Sequence, residues 1–260
     1  MSNLNLKQLL SILLIGLFFS ANAQGILVLE EQKIEIDHLE NIYIIDHDNL
    51  KLQGEINNIE YQNNFFGEIS SVDVSNPLRI LVFHKEANQI VFLNNELSII
   101  GNPIVLDEIS LPEVKVVCAS EINGFWIYNS LNNRIEFYNS KLQKEHSSIN
   151  LTQYISSVES IEEIKMVNEM VYLRVSDTGI LLFDMFATYI KTIPIPNSNS
   201  FQILENSIVY SKGNKILVYD FKKLTHSVLF QNKEEISFSW IINPKLFYLS
   251  NSLLKSVILK

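Results

Sequence analysis

Ile135-Glu136-Phe137-Tyr138-Asn139 is the clearest of four related stretches in this chain, the others being Ile90-Val91-Phe92-Leu93-Asn94, Ile180-Leu181-Leu182-Phe183-Asp184 and Ile216-Leu217-Val218-Tyr219-Asp220. Each is an apolar, β-branched or aromatic run that closes on Asn or Asp, the pattern of a buried strand running into a turn. Weaker copies begin at Leu50 and Val257. The six starts recur about every 40 residues, the period of one four-stranded unit in a radial repeat.

The unit from Val114 to Leu151 shows how each repeat is built. Strands are predicted over Val114 to Ser120, Phe125 to Asn129, Arg134 to Tyr138 and Ile149 to Leu151, with turns at Asn123-Gly124 and Asn132-Asn133. Asn-Gly between two apolar runs is a strong hairpin signal because both residues tolerate positive φ. The slot between the first and second strands carries Asn in every unit, at Asn41, Asn76, Asn123, Asn168, Asn206 and Asn243. The second strands that follow, such as Ile80-Leu81-Val82-Phe83 and Phe125-Trp126-Ile127-Tyr128, are apolar on both faces. Such strands need a neighbouring sheet on each side, and sheets packed face to face around an axis supply it.

The fold expected is therefore all-β, a single six-bladed β-propeller over residues 24–260. The last unit stops after its third strand, Ser256 to Lys260, while Gly25-Ile26-Leu27-Val28-Leu29 stands ahead of the first complete unit. Pairing that amino-terminal strand into the last blade would close the ring and cover its open edge. Thr152 to Glu163 and Pro194 to Ser200 read as loops between blades, the first with about one turn of helix.

Residues 1–23 are set apart from the fold. Lys7, the apolar run Leu9 to Phe19 and the exit Ala21-Asn22-Ala23 have the order of a secretory signal peptide cleaved after Ala23. The chain carries 29 Asp and Glu against 20 Lys and Arg, a formal charge of −9. Removal of Lys7 makes the remainder more acidic still, which disfavours nucleic acid and anionic membrane surfaces as partners. Cys118 is the single cysteine, so no intramolecular disulfide forms; in Val116-Val117-Cys118-Ala119 it reads as a buried structural thiol.

In period, in strand order and in the Phe183-Asp184 and Tyr219-Asp220 strand ends, the chain resembles the WD40-like propellers, whose repeats often carry Trp-Asp at that place. The likeness covers nearly all of residues 24–260, although Trp-Asp and the Gly-His pair of such repeats are absent. Its export signal and its Asn- and Ile-rich repeats resemble secreted propellers of the kind found in Bacteroidota. Ser176-Asp177-Thr178-Gly179 resembles the start of the Asp-box of sialidase-like propellers, but the Trp that follows there is absent and the motif occurs once, so it is read as a β-turn.

Asp46-His47-Asp48-Asn49 is the most chemical-looking run, in the turn between the second and third strands of the first unit; its spacing fits no standard metal motif. His84 falls in the equivalent turn of the second unit. His146 and His226 fall near fourth strands, on the outer rim, and no Gly-x-Ser-x-Gly elbow is present. The adjacent acidic pairs Glu30-Glu31, Glu162-Glu163 and Glu234-Glu235 read as solvated loops, since neighbours on a strand point to opposite faces. Trp126 and Trp240 lie in apolar strands and read as core; Trp240 facing the channel would favour carbohydrate or peptide binding.

Two functions remain open. The first is an exported, non-enzymatic protein-binding or scaffolding module of the periplasm or cell envelope, including a subunit of an outer-membrane assembly, with protein partners, no cofactor or metal and no transmembrane segment after cleavage. The second is a propeller enzyme or lectin-like binder acting on glycans at the channel mouth, around Asp46, His47, Asp48, His84 and Asp177.

Overall fold

A computed structural model describes residues 25–29, 31–54 and 59–259. The predicted signal peptide lies outside them. Strand β1 (Ile26–Leu27) comes first, and six meanders of antiparallel strands follow. Blade 1 is β2 (Lys33–Ile36), β3 (Ile42–Asp46), β4 (Asn49–Leu52) and β5 (Ile59–Gln62); blade 2 is β6 (Ser71–Asp73), β7 (Ile80–His84), β8 (Gln89–Leu93) and β9 (Ile104–Val105). Blade 3 holds β10 (Val114–Ala119), β11 (Gly124–Asn129), β12 (Arg134–Asn139) and β13 (Lys144–Ser147), and blade 4 holds β14 (Ile161–Val167), β15 (Met170–Val175), β16 (Gly179–Asp184) and β17 (Tyr189–Ile193). Blade 5 is β18 (Ser200–Leu204), β19 (Ser207–Lys212), β20 (Lys215–Asp220) and β21 (Thr225–Gln231). Blade 6 contributes β22 (Phe238–Ile242), β23 (Lys245–Ser250) and β24 (Leu253–Ile258), with β1 as its fourth strand through Ile26↔Leu254 and Leu27↔Leu253. The protein is thus a six-bladed β-propeller of four-stranded blades. Among the described residues no helix is long and apolar enough to cross a membrane.

Six apolar clusters hold the ring, and each one straddles a seam between consecutive blades. The largest joins blades 3 and 4 through Trp126, Tyr128, Phe137, Leu173, Leu181 and Phe183. Blade 6 has the leanest seams, with Val209, Ile216, Leu246 and Tyr248 against blade 5 and Ile34, Ile36, Phe247 and Leu254 against blade 1. Every residue of β7 and β11 is buried, as two-faced packing requires.

The Asn or Asp that closes the third strand of blades 2, 3, 4 and 5 has a common task. The Oδ1 atoms of Asn94, Asn139, Asp184 and Asp220 each accept two backbone N–H groups of the following turn, for example Phe186 N at 2.9 Å and Thr188 N at 2.8 Å for Asp184. Asx side chains do this because their short reach matches the turn's open donors.

Three local expectations need correction. The fourth strand of blade 3 is Lys144–Ser147 and not Ile149 to Leu151, because an outermost strand faces water and needs no apolar run. The third strand of blade 6 is Leu253–Ile258, a few residues earlier than expected. Glu162-Glu163 belongs to β14 rather than to a solvated loop; the preceding segment holds one 3-10 turn, Val158–Ser160. All six slot Asn residues do sit between first and second strands, yet only Asn123 (φ 68°) and Asn168 (φ 52°) use the left-handed conformation. Asn76 instead caps its turn, accepting Leu78 N at 3.0 Å. Beside Asn123, Gly124 is obligatory, since a Cβ there would lie 2.2 Å from Tyr138 O.

Replacing Asp184 by Ala should lower stability by about 1 kcal/mol, the usual cost of losing a side-chain cap on backbone donors. Asp184→Asn should stay near wild type, since Asn fills that role at Asn94 and Asn139. Urea unfolding of the three proteins checks this.

Candidate functional site

In each blade the first strand is innermost, so β2, β6, β10, β14, β18 and β22 surround the axis. They enclose a cavity of about 340 Å³. It reaches the ends of these strands, at His38, Ser75, Val167 and Ile242, which adjoin the turns into the second strands. Most of its wall is apolar, including Val72, Val116, Ile164, Met166 and Ile241.

Strand β14 supplies the charged centre. Lys165 Nζ lies 2.8 Å from Glu163 Oε1, donates to Phe201 O at 3.0 Å, and sits 4.8 Å and 5.1 Å from the ring centroids of Phe201 and Trp240. Arg174 braces the same carboxylates, with Nε 3.2 Å from Glu163 Oε2 and Nη1 on Glu162. Burial opposes ionisation of both Lys165 and Glu163, but their mutual attraction outweighs it. The Lys165 ammonium is held above its ordinary value, with Glu35 adding to the pull, and the Glu163 carboxyl is held below its own.

Glu35, on β2, faces this pair without joining it. Its carboxyl is half-buried by surface area but enclosed by the channel wall, and burial pushes it up to about 8, with Lys165 pulling it down and Glu163 and Asp73 pushing it further up. Asp73 is already committed, accepting Ser75 N at 2.9 Å and Ala119 N at 2.8 Å. Asp37 is likewise occupied by Leu39 N, Asn41 and the Tyr43 hydroxyl.

The five residues singled out from sequence lie elsewhere, near the turns between second and third strands on the opposite face of the ring, with Asp46 and His84 as the last residues of β3 and β7 rather than in the turns themselves, and none lines the channel cavity. Asp46 accepts from Gln32 Nε2 at 2.9 Å, and Asp48 from Gln62 Nε2 at 3.3 Å. His47 is exposed between Glu68 (Nδ1 at 3.0 Å) and Glu31 (Nε2 at 3.4 Å); the Glu68 hydrogen bond raises its pKa. His84 is fully buried, its Nδ1 on Gly67 O at 3.0 Å and its Nε2 on the Tyr61 hydroxyl at 3.1 Å. Burial lowers its pKa, and Asp48 is near enough to oppose that. Asp177 is bonded to Ser156 in blade 4, away from the other four. Among the described residues no three His, Cys, Asp or Glu side chains are arranged to hold a metal.

The two tryptophans separate. Trp126 is core, its Nε1 donating to Met166 Sδ at 3.2 Å, whereas half-buried Trp240 lines the channel. Cys118 is buried, and that burial pushes its thiol up, as a structural cysteine requires.

Neither a family model nor a characterised protein sequence matches the chain. Solved structures do. The chain is similar to the WD40 domain of Pan2 from Neurospora crassa (TM-score 0.60, 8% identity, 86% of this chain and 87% of that one). It is also similar to virginiamycin B lyase from Staphylococcus aureus (TM-score 0.60, 12% identity, 91% and 88%). A third match is the extracellular domain of the putative hybrid two-component system BT3049 from B. thetaiotaomicron (TM-score 0.60, 12% identity), where 86% of this chain covers 33% of that one. At such identities the likeness is one of fold, that of a β-propeller.

Glu35 makes a signed prediction. Its carboxyl is raised in the folded state, so it weakens folding progressively as pH climbs from about 4.5 towards 8, and then no further. Glu35→Gln removes this burden. The variant should melt near wild type at pH 4 and a few °C above it at pH 8, by roughly the shift expected for about 1 kcal/mol or more in a chain of this size; thermal melts across that range check it.

Proposed function

We propose that this protein is an exported, non-enzymatic propeller that binds a protein partner in the periplasm or at the cell envelope. The observation that carries the reading is the apolar decoration of one face. In three successive blades the turn between first and second strands, closest to the axis, exposes a large apolar side chain: Leu39 (63% exposed), Leu78 (69%) and Ile122 (51%). The turns between third and fourth strands reach the same face and add Phe186 and Leu224. On the other face Phe65 and Ile149 are exposed in the connections that leave blades 1 and 3, and Leu131 in a second-to-third-strand turn, but none of these repeats in consecutive blades. Apolar residues repeated at equivalent turns of a rigid ring are suited to hold a protein surface.

Export rests on the order of Lys7, the apolar run and Ala21-Asn22-Ala23. The absence of catalysis is favoured by the structural engagement of His84, Asp46 and Asp48 and by the commitment of most channel carboxylates to backbone or basic partners. The glycan reading keeps one observation in its favour, the half-buried Trp240 ring in the channel.

Tagged full-length protein recovered from envelope extracts of its native host should bring down a stoichiometric protein partner. The triple variant Leu39→Asp, Leu78→Asp, Ile122→Asp, with unchanged circular dichroism, should lose at least about tenfold in recovery. A folded triple variant that retains the partner, or wild type that recovers none, would overturn the reading.

A further inference from the structure

The hydrogen-bonding groups of the channel are nearly all spent within the protein. Lys165 is used by Glu163, the Phe201 carbonyl and two aromatic faces. Gln202 is used at both ends by Ile241, donating to its carbonyl at 2.8 Å and accepting its N–H at 2.7 Å. Among the groups left over, two stand on adjacent inner strands, β2 and β6. The Glu35 carboxyl makes no hydrogen bond among the described residues, only longer-range interactions with Lys165, Glu163, Asp73 and Lys33. Ser71, which lines the same cavity, has a buried Oγ with no partner among the described residues. A buried hydroxyl and a carboxyl without partners are costly to maintain, and a ligand that supplies donors removes that cost.

The charge around the cavity says which donor fits. Strand β2 brings Glu35, Asp37 and His38, β6 brings Asp73, and β14 brings Glu162, Glu163 and Lys165; the walls from β10, β18 and β22 are uncharged. Arg174 and Lys165 neutralise Glu162 and Glu163, which leaves the Glu35 side of the cavity with an excess of carboxyl. A neutral hydroxyl would satisfy the hydrogen bonds but not the charge. An anion would meet Glu35 and Asp73. Apolar wall next to unbalanced carboxylate suits a positively charged donor on an aliphatic carrier.

We propose that the channel cavity binds a primary alkylammonium group, held by the Glu35 carboxylate and Ser71 Oγ, with its aliphatic chain against the apolar wall. Such a group exists as a free amine and as a lysine side chain offered by a protein. The binding site stands independently of the protein-partner reading, because a free amine needs no partner.

Isothermal titration of the purified protein should compare pentylamine, the uncharged pentanol, acetyl-Leu-Lys-Leu-amide and methyl glucoside. Saturable binding of pentylamine is expected, tightening as pH rises from about 6 to about 9 as the ammonium displaces a proton from Glu35. Heats in buffers of different ionisation enthalpy should show that proton leaving. Glu35→Gln should weaken binding about tenfold or more and abolish the pH dependence, with Ser71→Ala weakening it less. Tighter binding of the peptide than of pentylamine assigns the site to a lysine side chain; the reverse assigns it to a free amine. No pentylamine binding in this pH range, equal binding of pentanol, preference for methyl glucoside, or full affinity in a folded Glu35→Gln variant would overturn the proposal.

Discussion

The first strand of every blade lies at the rim of the channel, an edge strand that no ladder completes on its inner side, and the side chains reaching across from the blade before it are what tie this inner ring together. Lys33 donates to Ser70 O, Asp73 accepts Ala119 N, Glu121 accepts Asn168 N and Glu169 N, Lys165 donates to Phe201 O, and Gln202 bonds both backbone groups of Ile241. Lys245 then reaches Glu40, from the last blade to the first. Every seam of the ring therefore has at least one polar clasp and one apolar cluster. Burial drives the packing of sheet on sheet, but it is non-directional; the clasps fix how each blade is set against the next.

The channel wall is built from this same ring of residues. Lys165 is at once a clasp, the partner of Glu163 and the cation over Phe201 and Trp240, so the wall of the channel and the joint between blades 4 and 5 are one construction. Once these side chains are committed, Glu35 is left as the carboxyl whose charge the fold does not balance. Polar groups that a structure holds without partners are where ligands gain most.

How much of this could be read from the sequence follows from what is local. The blade count and the strand order were legible because Asn94, Asn139, Asp184 and Asp220 cap turns within a few residues of themselves, and such caps recur at a fixed place in the repeat. The clasps were not, because Lys33, Asp73, Glu121, Lys165 and Gln202 act on backbone some 36 to 48 residues away and share neither residue type nor register. Glu35 in Lys33-Ile34-Glu35-Ile36 looks like an ordinary solvated position of an alternating strand, and only the ring turns that face towards an enclosed channel. The Asp46-His47-Asp48 run drew attention by composition alone, although second-to-third-strand turns lie away from the axis. One signal was available: on β2, β6 and β14 a charged residue, Glu35, Asp73 and Lys165, stands between two apolar ones and lines the channel.

Blade 6 is where the account is most exposed, since its apolar seams are the leanest and its fourth strand comes from the other end of the chain. The central claim is that the six blades form one closed cooperative ring, held at this joint by β1, the Lys245–Glu40 pair and the cluster around Ile36 and Phe247. Hydrogen exchange and thermal unfolding of a protein lacking residues 25–29 test it directly. The account predicts a midpoint lower by several °C, roughly what the loss of a few kcal/mol gives, with protection lost first in β22, β23 and β24. An unchanged midpoint with blade 6 as protected as before would contradict it.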